Sequence, residues 1–129
     1  SALELSPNQP QILNYMGYSL LERKEKLDQA MRMITLAAEK EPNSYHIIDS
    51  LGWAHFKSGE FEKALLYLEK AMELESTDPI VNDHLGDVLW MLGRKREAQF
   101  QWKKSLSFKP EPVDQKNTED KLLYGLKLR

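Results

Sequence analysis

The sequence predicts an all-α protein, a solenoid of antiparallel helix pairs. Three observations carry that expectation: a period of 34 residues, a small residue at a fixed place in each period, and helical spacing of apolar residues on both sides of a short turn. "LDQAMRMITLAAEKEPNS" (27–44), "FEKALLYLEKAMELESTD" (61–78) and "KREAQFQWKKSLSFKPEP" (95–112) align without gaps. Ala30, Ala64 and Ala98 are spaced by 34 and 34, and Pro42 and Pro110 by 68, with Ser76 at the intermediate position. Upstream of each segment lies a second one: "ILNYMGYSLL", "IIDSLGWAHF" and "VNDHLGDVLW". Their glycines, Gly17, Gly52 and Gly86, are spaced by 35 and 34.

The elements follow in order. "ALELSPN" at 2–8, with Ala2 and Pro7 in phase, reads as the end of a preceding unit occupying residues 1–9, so the native protein is expected to extend towards its N-terminus. Unit one covers 10–44 and carries a one-residue insertion in "ERKEKLDQ", because Gly17 and Ala30 are 13 apart where the other two units have 12. Its break, "RKEK", has no glycine, so its turn should be longer or differently shaped. Unit two covers 45–78: Ile48, Leu51 and His55 fall at i, i+3 and i+7 in its first helix, and Leu65, Leu68, Ala71 and Met72 in its second. Unit three covers 79–112, and Pro79 suits its first helical turn. Gly59 in "KSGE" and Gly93 in "MLGR" supply the positive φ that ends a helix. Residues 113–129 form a capping helix, with Leu122, Leu123 and Leu126 as its apolar side.

Glycine inside a helix costs roughly 1 kcal/mol against alanine, so its recurrence needs a reason. Gly17, Gly52 and Gly86 are expected where the two helices of a unit cross, with Ala30, Ala64 and Ala98 as the small partners.

Composition narrows the function classes. Hydrophobic residues at 41% and charged residues at 29% fit a folded chain and not a disordered one. A formal net charge of −2 lacks the broad positive field of a nucleic-acid binder. The basic run "GRKREAQFQWKK" (93–104) reads as repeat core at Ala98 and Trp102 with a solvated edge, so no nucleic acid is expected. With no cysteine, disulfides and thiolate chemistry drop out. No apolar run approaches the roughly 18 residues of a membrane span, and "SALELSPNQP" has neither a starting Met nor a signal pattern, so the chain reads as a processed form or a fragment.

These residues resemble the tetratricopeptide repeat family, whose unit is 34 residues long. Its pattern falls on Leu13, Met16-Gly17, Leu20, Ala30, Ile34, Ala37 and Pro42, and again on Ile48, Leu51-Gly52, Ala64, Leu68 and Ala71. In unit three it falls on Leu85-Gly86, Leu89, Ala98, Trp102 and Pro110, with Asn82 and, in unit two, His55 as departures. The resemblance implies a right-handed α-solenoid whose first helices line a concave groove. By that correspondence the groove-facing positions are Gln11, Asn14, Tyr18 and Leu21, then His46, Asp49, Trp53 and Phe56, then Ile80, Asp83, Asp87 and Trp90. Of these, Asn14, Tyr18, His46, Asp49, Trp53, Phe56, Asp83, Asp87 and Trp90 are the candidate peptide- or protein-binding residues, an acidic floor with large exposed aromatics that favours a basic or polar segment. Three aspartates would repel the carboxylate-rich ligand held by the family's chaperone-binding members.

"NYMGYSLLE", "IIDSLGW", "YLEKAMEL", "DPIVNDHLGDVLW" and "WKKSL" are similar to the C-terminal repeats of bacterial exported TPR lipoproteins and adaptors. That resemblance implies a periplasmic or envelope-associated location, and for some members a carboxyl-terminal processing protease as partner. The leading expectation is a non-catalytic interaction scaffold with no cofactor and no metal. The alternatives are a self-associating module, a homo-oligomer, and a metal-dependent hydrolase built on His46, Asp49, Asp83 and His84.

Overall fold

The computed structural model describes residues 9–24 and 26–127. The expected end of a preceding unit at 1–9 therefore lies, apart from residue 9, outside the described residues. Seven helices follow one another with no strand among the described residues: α1 (Pro10–Glu22), α2 (Leu27–Lys40), α3 (Tyr45–Lys57), α4 (Phe61–Leu74), α5 (Pro79–Met91), α6 (Lys95–Ser107) and α7 (Pro112–Tyr124). Each helix packs on the next, most extensively within the pairs α1–α2, α3–α4 and α5–α6. The first helices also touch across units, α1 with α3 and α3 with α5, more closely than the second helices do. Elements on the inside of a curved stack lie nearer one another, so α1, α3 and α5 form the inner layer.

The pairs close at the glycines. A Cβ on Gly17 would lie 2.6 Å from Ile34 Cγ1, on Gly52 2.8 Å from Leu68 Cγ, and on Gly86 2.4 Å from the Trp102 ring. The backbone carbonyls of Ala30, Ala64 and Ala98 stand 3.1, 3.3 and 3.1 Å from the same positions. The helix-propensity cost is offset by this approach, which seats one large second-helix side chain over each glycine.

The turns follow the sequence pattern. Residues 58–60 and 92–94 link their pairs through Gly59 at φ 79° and Gly93 at φ 82°. The amides of Glu60 and Arg94 donate back to the carbonyls of His55 at 2.8 Å and Leu89 at 2.9 Å. The first pair is joined by residues 23–26, one more residue, and puts Lys24 and Lys26 at positive φ in place of glycine. Pro79 stands in the first turn of α5, where the Asp78 side chain accepts from the amides of Ile80 and Val81 at 2.8 and 3.2 Å.

The flanking helices bury one stripe, Leu13, Gly17 and Leu21 on α1 for example. The central ones do not: residues 47–54 of α3 and 84–89 of α5 are buried without interruption. A helix covered on all sides must carry its polar groups inward with partners. α7 begins earlier than the apolar pattern of its second half indicates, and it differs from the expected cap on one residue. Leu123 points to solvent at 73% exposure, while Leu122 and, beyond the helix end at Gly125, Leu126 pack on the core. Thr118 is the buried residue of α7.

Candidate functional site

The inner layer divides the sequence's candidate residues into two groups. Asp49, Trp53, Phe56 and Asp87 are buried, with exposures of 7, 7, 4 and 4%, which corrects the expectation of exposed aromatics over an open acidic floor. The reason is that each first helix is covered by the next one, and α5 by α7. His84, one unit on from Asp49, places its Nδ1 3.0 Å from Asp49 Oδ1 and stacks its ring on Trp53 at 3.8 Å between centroids. Trp53 in turn stacks on Phe56 at 4.6 Å.

The unit-three carboxylates are held the same way. Trp102 Nε1 donates to Asp87 Oδ1 at 3.0 Å, and Thr118 Oγ1 donates to Asp83 Oδ1 at 3.0 Å. Lys121 Nζ reaches Asp83 and Asp87 at 2.7 Å each. Burial pushes the Asp87 carboxyl up to about 6, with Lys121 acting against the rise and Asp83 adding to it. For Lys121 burial opposes the charge, yet Asp87 and Asp83 outweigh it and the ammonium is held above its ordinary range. His84 behaves alike: burial disfavours the imidazolium, while Asp49 first, then Asp83 and Asp87, raise it. The acids are thus internal counter-charges.

The remaining candidates are more open. His46 is exposed and lies against Tyr45, ring centroids 4.0 Å apart. Asn14 and Tyr18 are half-buried; burial and then Glu22 push the Tyr18 phenol far up. Trp90 is half-buried, tilted on Trp102 at 5.4 Å with Lys95 Nζ 4.7 Å from its ring, and Gly125 closes against its other edge. Of the hydrolase grouping, Asp49 and His84 pair with each other, while Asp83 is held by Thr118 and Lys121. Among the described residues, no three His, Asp or Glu side chains converge as metal ligands. Ser50 Oγ donates to the His46 carbonyl at 3.0 Å, within its own helix.

Two openings flank these buried groups. A groove of about 360 Å³ crosses the starts of α1, α3 and α5, lined by Gln11, Asn14, Tyr15, Tyr18, His46 and Ile80 among others. In it Tyr15 is 74% and Ile80 42% exposed, and Asn14 Oδ1 is buried with no partner among the described residues. A cleft of about 440 Å³ opens at the other end, between the α1–α2 turn, the last turn of α3 and the segment after α7. Tyr15 is not among the sequence's candidates: its counterparts in the other units are Ser50 and His84, so no recurring residue type marks the position. Thr118 and Lys121 were missed too, although a signal existed: they follow Asp83 and Asp87 by 35 and 34 residues, one repeat length.

The helix pairs with glycine crossings every 34 residues have a counterpart in a family model: residues 47–78 match that of the tetratricopeptide repeat. The chain carries a tetratricopeptide repeat (TPR) there, and its other two helix pairs repeat the same glycine crossing. A TPR repeat-containing protein of Pseudomonas aeruginosa is 33% identical over 81 residues, which are 63% of this chain and 14% of that protein, so the chain corresponds to a small part of this relative. Among solved structures, the first TPR domain of human RPAP3 is similar with a TM-score of 0.77 at 18% identity, covering 92% of this chain and 93% of that one. The first TPR of RPAP3 bound to an HSP90 peptide gives 0.75 at 18% identity, over 89 and 90% of the two chains. The Yersinia enterocolitica type III secretion translocator chaperone SycD gives 0.77 at 15% identity, over 88 and 89%. At these identities the likeness is one of fold.

Proposed function

We propose that this protein is an interaction scaffold that holds a segment of a partner protein across the starts of α1, α3 and α5. The observation that carries the reading is the open groove of about 360 Å³ in which exposed Tyr15 and Ile80 stand beside Asn14, whose side-chain oxygen has no partner among the described residues. Large apolar side chains in a concave polar surface favour a docked segment, and a carboxamide can meet the backbone of an extended one. The test is selection of a displayed random peptide library on the immobilised protein, followed by titration of the enriched peptide. Tyr15→Ser with Ile80→Ser should weaken binding at least about tenfold with the helical content kept. Unchanged binding, or a library with nothing enriched, would contradict the groove.

The finer reading is an adaptor on the bacterial envelope side for a carboxyl-terminal processing protease. It is supported by the motifs "IIDSLGW" and "DPIVNDHLGDVLW". Co-elution of the purified chain with such a protease tests it, and separate elution at micromolar concentrations would count against it.

A further inference from the structure

We infer that the 440 Å³ cleft sets the charge of the partner: it takes a protein segment in which carboxylates flank a large apolar side chain. The inference rests on the scaffold reading but not on the particular groove proposed above. Its basis is where unpaired charge remains. The acids of the inner layer are already matched, Asp49 by His84, and Asp83 and Asp87 by Lys121. At the cleft the balance is reversed. Lys24, Lys57 and Lys127 line it, and none of the three is ion-paired with a carboxylate among the described residues. Asp87 also lines it, but its Oδ1 is already met by Trp102 and Lys121.

The wall between these ammonium groups is apolar. Leu27, Phe56 and Leu126 form it with the Trp53 ring, over which Lys57 Nζ stands 5.0 Å from the centroid. The Trp53 Nε1 hydrogen is buried and has no acceptor among the described residues. The cleft lies within the roughly 300–1,000 Å³ range of sites that enclose ligand groups. An apolar side chain would cover the wall while carboxylates on either side meet the rim lysines. A basic segment would set like charges against one another and is disfavoured. The expectation from the sequence is an acidic floor favouring a basic or polar segment; this cleft favours an acidic one, because the acids are matched internally and its lysines are not ion-paired among the described residues.

The test uses two labelled hexapeptides, one alternating Glu with Leu and Phe, the other identical but with Lys for each Glu. Fluorescence anisotropy reads their binding to the full chain and to the double variant Lys24→Glu, Lys57→Glu, whose fold is checked by circular dichroism. The acidic peptide should bind the wild type more tightly than the basic one, weaken with added salt, and lose about tenfold or more on charge reversal. The double variant should then prefer the basic peptide. In a proton–nitrogen spectrum the indole signal of Trp53, assigned through Trp53→Phe, should move on addition of the acidic peptide while that of Trp102 stays. Equal binding of both peptides, or acidic-peptide binding unaffected by the double reversal, would overturn the inference. A groove peptide that binds the double variant normally while the acidic probe shows no preference would overturn it and leave the groove reading standing. Preference for the acidic probe with no groove peptide enriched would do the reverse.

Discussion

Lys121 places its Nζ 2.7 Å from a carboxylate oxygen of Asp87 and, at the same distance, from one of Asp83, and so fastens α7 to the inner layer through one ammonium. The two aspartates lie one helical turn apart on α5, and Asp87 is almost wholly covered. Removing the cation leaves the two carboxylates without their counter-charge, held only by the neutral donors Trp102 and Thr118, which costs far more than the pair itself contributes. Lys121→Met keeps the aliphatic stem and is expected to lower stability by about 3 kcal/mol in urea unfolding. Adding Asp83→Asn and Asp87→Asn should recover part of the loss. No recovery would mean that the ammonium acts through packing alone.

The glycines give a second, contrasting pair of variants. Gly86→Ala drives a methyl group to 2.4 Å from the ring of the fully buried Trp102, which has no free space to turn into. Overpacking of this kind is expected to cost about 2 kcal/mol or more. Gly59→Ala meets nothing within 4 Å and pays only for its positive φ of 79°, about 1 kcal/mol. Equal losses from the two variants in equilibrium unfolding would contradict the crossing geometry.

Stability should fall as pH rises from about 4 towards 8. The folded carboxyl of Asp87 is raised to about 6 from 3.8, so the native state binds more protons than the unfolded one between those values. His84 is raised above 6.5, so the stability from its charged pair with Asp49 is complete below 6.5 and is lost as pH climbs through the folded value. Both slopes have the same sign. Thermal unfolding across this range should show it, and His84→Gln should flatten the upper limb while Asp87→Asn flattens the lower. A wild-type profile that rises with pH would contradict the pairing.

Much of the fold could be read from the residues, because a repeat announces itself by spacing. Gly52 and Ala64 are a local pair whose meaning depends only on their own unit, and the extra residue near Lys24 predicted the longer turn. What could not be read was whether a groove position stays open. The phase that turns Asp49 and Trp53 inward is a property of α3, whereas their burial depends on His84, which another unit supplies. Trp53 was read as exposed for that reason. Asp83 and Asp87 likewise look like a free acidic surface until α7 brings Lys121 over them. Tyr15 stands two residues before Gly17, where the other units carry Ser50 and His84, so no recurring residue type marks it as exposed.

The most direct test of the central claim, that the inner layer of first helices is the binding face, is amide hydrogen exchange with and without a library-selected peptide. Binding across the starts of α1, α3 and α5 should slow exchange at the amides around Asn14, His46 and Ile80 and leave those of α2, α4 and α6 unchanged. Protection confined to α2, α4 and α6 would place the partner on the opposite face and contradict the account.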